Sequence, residues 1–312
     1  MVKVVNVSRN AVFLPSHKKR NDTIEAYAFM LPALFLFALF TVAPFILSLV
    51  FAFTDYNGVE FSGFVGFDNF KLILEDKYFM SSLKNVLIFA IFYVPLSIVT
   101  SLVVAFLVSK IKIKHNIFKI ILYIPSLTSG AAMIFVWKSL LGAVNVELGL
   151  GHMAMIVIIA ISLYGALGGN MLIYLAAMSG IDQKVYEAAE IDGASKFQQF
   201  LHITVPLLKS SSYFIFTTTL IGSFQLFDLV YLLGLYNNYN AITPVVQIYL
   251  SAKELRFGYG SAMACILFIV IMIITVITQL FVKENDNEKK LFGRKDDKYR
   301  KKYQKWKQSE CK

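Results

Sequence analysis

Charge is scarce in this sequence. Only 16% of its 312 residues are Asp, Glu, Lys or Arg, against roughly 25% in an ordinary soluble domain. Cysteine is nearly absent: Cys265 sits in an apolar run and Cys311 near the end. Two such cysteines make neither a disulfide framework nor a zinc spacing. The four histidines, His17, His115, His152 and His202, lack metal-ligand spacing, and there is no H-E-x-x-H. A G-x-x-x-x-G-K-[ST] phosphate loop and a G-x-S-x-G nucleophile elbow are missing as well. The chain is therefore not expected to be an enzyme or to hold a cofactor, and energy for any work must come from a partner.

What is present is apolar. Hydrophobic residues make up 57% of the chain, and its mean hydropathy is +0.63. Charge-free windows cover 26–53, 85–109, 120–137, 148–181, 210–227 and 257–282. A bilayer core needs about 20 residues of helix. The windows predict helices over 27–53, 85–109, 117–140, 153–178, 207–235 and 259–282. The expected fold class is all-α: a polytopic membrane protein with six transmembrane helices. Pro32, Pro44, Pro95 and Pro125 lie inside them, where kinks are expected. The domain plan is an N-terminal segment 1–26, a transmembrane domain 27–282 and a basic tail 283–312. The first apolar run is too long for a cleaved signal and is expected to stay as an anchor.

The net charge of +10 comes from basic residues beside the apolar runs, a pattern of membrane orientation and not of nucleic-acid binding. With six spans, 24 of the 30 Lys and Arg fall on the side that carries both termini. Five fall opposite: Lys71, Lys77, Lys84, Lys253 and Arg256. Both termini are accordingly expected in the cytoplasm of a bacterial-type cell, with the chain multi-pass in its plasma membrane. The Lys-dense tail 283–312 reads first as a solvated, orienting segment; the sharper reading is attraction to anionic lipid, with Tyr299, Tyr303 and Trp306 on one helical face as interface anchors.

One stretch is unlike the rest: EAAEIDGASKFQQFLHITVP, residues 187–206, inside a cytoplasmic loop 182–206. Glu187, Ala188, Ala189 and Glu190 favour helix, and Gly193 interrupts it. Phe197, Phe200 and Leu201 then fall at helical spacing, and Pro206 is expected to mark a boundary. The segment is too polar for the bilayer and too apolar to lie bare in water. Either it packs on its own helices, or it docks in a partner's groove.

The spacing Glu187-Ala188-Ala189, Gly193, Ile203, Val205-Pro206 resembles the EAA signature of ABC transporter permeases of the binding-protein-dependent import type. The run YEAAEIDGASKFQQFLHITVPLL is similar to the carbohydrate branch, the maltose and glycerol-3-phosphate permease type. Further stretches resemble the same family in the same order. They include AFMLPALFLFALFTVAPFILSLVFAFTDY, FVGFDNFKLIL, ILYIPSLTSGAAMIFVWKSLL, GGNMLIYLAAMSGI, IGSFQLFDLVYLL and FGYGSAMACILFIVI. The resemblance implies that the loop is a coupling helix docking on a separate ATPase dimer, where ATP-Mg would bind. Glu187, Ala188, Ala189, Asp192, Gly193, Ala194, Phe197, Ile203 and Pro206 would carry that contact. It implies a second homologous permease, an extracytoplasmic solute-binding protein and a carbohydrate substrate. Three features depart from the family: a short loop at 141–152, Asp182 in place of proline, and Leu235-Tyr236-Asn237-Asn238 where Gly-Gly-Pro is usual. Asp182 implies a looser start to the coupling helix.

Polar side chains in membrane helices face the bundle interior or a cavity. Helix four offers Asn170 and Tyr174, and helix five offers Thr219, Ser223, Gln225 and Asp228. The resemblance to the maltose importer points to Thr219, Gly222 and Ser223 as substrate contacts. Hydroxyls, an amide and aromatic rings suit a polyol. Two other classes compete: an ion-coupled secondary transporter, which needs a charged site at the midplane, and a non-transporting scaffold. The simplest reading of Gly165, Gly168 and Gly169 is close helix packing.

Overall fold

The computed structural model describes residues 18–111, 115–144 and 153–280. The basic tail, Cys311 and most of the short 141–152 loop lie outside the described residues. The chain divides into two units, residues 1–50 and 51–312.

The first unit is helical. Helix α1 (Lys18–Phe37) passes through a π turn (Ala38–Val42) into α2 (Ala43–Phe51). The cause is Pro44, which has no N–H to give and whose ring crowds the preceding turn. The ladder widens instead of breaking, and Ala43 N–H donates to the Ala38 carbonyl five residues back.

The second unit opens with a small antiparallel hairpin, β1 (Thr54–Tyr56) and β2 (Phe61–Phe64), a departure from a purely helical chain. Its turn is set by Asn57, whose Oδ1 accepts the N–H of Val59 at 3.0 Å and of Glu60 at 2.7 Å. Helix α3 (Asp68–Glu75) buries Asn69, which donates to the carbonyls of Ala52 and Thr54 and so fastens the hairpin. Helix α4 (Lys77–Lys110) begins eight residues before the apolar window predicts. Asp76 caps it, accepting the N–H of Tyr78 at 2.8 Å and of Phe79 at 3.2 Å. It runs through Pro95 without interruption.

The third expected span is bent, not continuous. Helices α5 (His115–Leu127) and α6 (Gly130–Ala143) meet at 93°. The break falls on Thr128-Ser129-Gly130, three residues after Pro125, and Ser129 has an extended ψ of 129°. Helix α7 (Met153–Ser179) spans as predicted. The loop region follows with α8 (Gln183–Ile191), α9 (Lys196–Gln199), a π turn (Phe200–Thr204) and α10 (Val205–Leu207).

The fifth expected span also differs. Helix α11 (Lys209–Phe224) has 16 residues, fewer than a bilayer core needs. Beyond its end the Leu226 carbonyl accepts the Thr243 hydroxyl at 2.7 Å, and Phe227 leaves helical geometry. A short α12 (Asp228–Leu232), then α13 (Pro244–Lys253) and α14 (Phe257–Leu280) complete the chain. Among the described residues, four continuous helices are long and apolar enough to cross a membrane, and a fifth if the bent pair counts as one.

Helices α4, α7, α5 and α11 form the packed centre. Helices α5 and α7 touch through Gly168, where a Cβ would lie 2.7 Å from the Tyr123 Cα. Only glycine permits that approach. Ser126 adds a polar link: its Oγ donates to the Gly165 carbonyl at 2.7 Å and accepts Gly169 N–H at 3.2 Å. The expectation of close packing therefore holds at Gly168, whereas Gly165 and Gly169 have open space beside them and serve through their backbone.

Candidate functional site

Two places hold most of the residues singled out from sequence: the 182–206 loop, and a pocket between α4, α7 and α11.

The loop is a folded unit. Asp182 caps α8 by accepting Lys184 N–H at 3.0 Å, so this departure from the family's proline does not loosen the start of the helix. The helix ends in a Schellman turn. Gly193 has φ +79°, its N–H donates to the Glu190 carbonyl, and Ala194 N–H donates to the Ala189 carbonyl. Ser195 and Gln198 then form a capping box for α9. The predicted two helices and bend at Gly193 are all present.

Pro206 does not end the helical path. Val205 stays helical at φ −58°, ψ −48°, and its N–H reaches back five residues to Phe200. This is the same accommodation as at Pro44, a π turn just before a proline. The expected stripe of Phe197, Phe200 and Leu201 also divides. Phe200 is buried and packs on Phe106 with ring centroids 4.4 Å apart. Phe197 points out, 67% exposed, and Ile191 is 87% exposed. Thus one face of the loop packs on the helices of this chain, while the other presents bare apolar side chains. Glu187, Ala188, Asp192, Gly193 and Pro206 are exposed, whereas Ala189, Ala194 and Ile203 are half-buried.

Two bonds hold the loop's inner face. Tyr186 Oη and Thr204 Oγ1 lie 2.9 Å apart, and Gln199 Nε2 donates to the Ala194 carbonyl at 3.1 Å.

The pocket holds about 340 Å³. Helix α4 contributes Phe89 and Tyr93, stacked with centroids 4.8 Å apart. Helix α7 contributes Ser162, Ala166 and Asn170, and the end of α11 contributes Thr218, Thr219, Gly222 and Ser223. No side chain lining it carries a formal charge. Thr218 and Ser223 donate to carbonyls of their own helix, at 2.9 and 2.7 Å, which leaves their oxygens able to accept. The Thr219 hydroxyl makes no hydrogen bond among the described residues. Asn170 Nδ2 donates to Ser97 Oγ at 3.0 Å, which fixes the amide.

Of the seven path residues read from sequence, four meet here: Asn170, Thr219, Gly222 and Ser223. Tyr174 is fully buried elsewhere, with its phenol donating to Ser212 at 2.9 Å. Gln225 is exposed at the end of α11, and Asp228 is exposed at the start of α12. Sequence reasoning missed Phe89, Tyr93 and Ser162. The two rings, four residues apart, were the available signal.

Residues 114–285, which include the loop and two of the pocket's three walls, match the family described as binding-protein-dependent transport system inner membrane component. The chain belongs to that family. It is thus a multi-pass membrane permease component. It is 32% identical over 272 residues to the arabinooligosaccharides transport system permease protein AraP of Bacillus subtilis (strain 168), covering 81% of this chain and 86% of that one. Identity to the lactose transport system permease protein LacF of Rhizobium radiobacter is 29% over 286 residues, covering 85% and 95%. The fold matches a chain of a bacterial ABC transporter involved in import of the acidic polysaccharide alginate. That match has a TM-score of 0.75 at 20% identity and covers 86% of this chain and 98% of that one. A second alginate transporter structure, in complex with a pentasaccharide-bound periplasmic protein, matches with a TM-score of 0.73 at 21% identity, covering 84% and 94%.

Proposed function

We propose that this permease forms part of the membrane path of an ABC importer for a carbohydrate of one or more rings. The observation that carries the reading is the uncharged pocket, in which the half-buried Tyr93 ring shares the lining with hydroxyls and an amide. Sugar rings stack on aromatic faces and exchange hydrogen bonds with neutral polar groups. The carbohydrate-transport names of the relatives support the same class.

In this reading the 182–206 loop faces the cytoplasm and docks on an ATPase dimer, which binds ATP-Mg and carries out hydrolysis. The bare Ile191 and Phe197 supply the apolar part of that contact. A second homologous permease completes the path, and an extracytoplasmic solute-binding protein delivers substrate, as the periplasmic protein in the alginate complex suggests. ATP-driven closure of the ATPase dimer draws the loops together and shifts the permease pair between inward-facing and outward-facing states.

An ion-coupled carrier would need a charged site within the bundle. Among the described residues Asp228 is exposed and lies outside the pocket, which weighs against that class. The test is uptake of labelled oligosaccharides by the reconstituted complex, with and without ATP. Gly222 has open space where a Cβ would stand, so Gly222→Phe fills the pocket without straining the backbone. It is expected to cut uptake at least about tenfold, and Gly222→Ala to leave it nearly intact. ATP-independent uptake, or full transport by Gly222→Phe, would overturn the proposal.

A further inference from the structure

A second cavity, of about 350 Å³, lies where the loop meets the ends of three helices. Lys110 reaches it from the end of α4, Lys119 from α5 and Lys196 from α9. The one carboxylate in its lining is Glu190, and Lys196 already holds it at 3.2 Å. Lys110 and Lys119 have no carboxylate within 4 Å among the described residues. Lys110 lies over two rings instead, 5.1 Å from the centroid of Phe106 and 5.4 Å from that of Tyr186. Three ammonium groups thus share one carboxylate in this lining, which leaves the cavity with an excess of positive charge for an anion to offset.

The setting narrows that occupant. Leu175 and Met178 line the cavity beside the lysines, and Lys110 is the last residue of a spanning helix. The cavity therefore lies at the edge of the apolar zone, with cations at the polar end and aliphatic carbon beside them. Basic pockets between spanning helices take the phosphates of lipid headgroups. A phosphate offers several acceptor oxygens to several ammonium groups at once, and its charge-assisted bonds are strong.

We infer that this cavity binds an anionic phosphate ester, whose phosphate bridges Lys110 and Lys119 on the helix ends to Lys196 on the loop. The ester's source is either an anionic glycerophospholipid or a soluble glycerol phosphate. Occupancy ties the loop to the helix ends. This inference stands apart from the transported substrate and needs no transport assay.

The test is a lysine-acetylation footprint of the full chain in lipid nanodiscs, read by mass spectrometry. Three conditions are compared: phosphatidylcholine alone, phosphatidylcholine with phosphatidylglycerol, and phosphatidylcholine with dissolved glycerol 3-phosphate. Lys184, exposed at the same end of the bundle but outside the cavity, controls for surface potential. Phosphatidylglycerol is expected to slow labelling of Lys110 and Lys119 relative to Lys184, by roughly tenfold at about 90% occupancy. Protection by glycerol 3-phosphate alone assigns the site to the soluble ester. No selective protection under either condition overturns the inference. A Lys110→Gln, Lys119→Gln double variant should lose the selective protection of Lys196, and retained protection there would also overturn it. Should that variant fail to fold, the wild-type footprint still decides.

Discussion

The phenol of Tyr186 and the hydroxyl of Thr204 share a hydrogen bond of 2.9 Å, which joins α8 to the π turn eighteen residues later. Thr204 is 1% exposed, so this bond is shielded from water. Tyr186→Phe should cost about 1 kcal/mol of local stability, the usual net worth of such a bond. Amides of 183–191 are then expected to exchange about fivefold faster in hydrogen-exchange mass spectrometry. Unchanged exchange would mean that α8 is held by other contacts.

Gly193 is constrained by its backbone, not by space. At φ +79°, with nothing within 4 Å of a built Cβ, a side chain fits but the conformation resists it. Gly193→Val should destabilise the Schellman turn by roughly 1–2 kcal/mol, and Gly193→Asn by less, because asparagine tolerates the left-handed region. Thermal unfolding of the purified chain reads the difference. Equal losses for the two variants would point to a role for the missing side chain itself.

Ile191 and Phe197 separate docking from folding. Both are mostly exposed, so Ile191→Asp and Phe197→Asp should leave thermal stability within about 0.5 kcal/mol of the parent. On the proposed function the same changes abolish co-purification of an ATPase, because they place charge in an apolar contact. An ATPase that still co-purifies with both variants would move the docking surface elsewhere on the loop.

Gly168 and Ser126 test the α5–α7 contact. Gly168→Leu forces the helices apart where the backbones touch, at a cost of about 3 kcal/mol or more, and should cause loss of folded protein. Ser126→Ala removes a hydroxyl bonded to both Gly165 and Gly169, with an expected loss of about 1 kcal/mol in a membrane setting. Fluorescence-detected size exclusion after graded heating distinguishes the two.

The elements easiest to read were those whose cause is local. Charge-free windows located α4, α7 and α14 to within several residues, because membrane burial acts on composition. The bend at Gly193 was legible for the same reason, since glycine was the one breaker in a helical run. The kink at Pro125 was expected but not its size, and the early end of the fifth span was not legible, because the contact beyond it is to a distant residue. The Leu226 carbonyl, just past the end of α11, accepts the hydroxyl of Thr243, seventeen residues away. Pro206 misled because the rule that a proline ends a helix omits the π turn, which keeps Val205 helical. The α4 wall of the pocket was missed because nothing local marks Phe89 and Tyr93 until α7 and α11 are set beside them.

The π turn at Phe200–Thr204 has a mechanical consequence. A conventional proline break would have left a slack joint between the loop and α11. Here Val205 and Leu208 both keep backbone hydrogen bonds to earlier residues, to Phe200 and Thr204, and α11 follows at once. Thr219 stands ten residues beyond Lys209, about 15 Å along that helix. The loop and the pocket are thus two ends of one connecting rod. On the proposed function, displacement of the loop would pass to the pocket through main chain, with no side-chain gearing in between to slip.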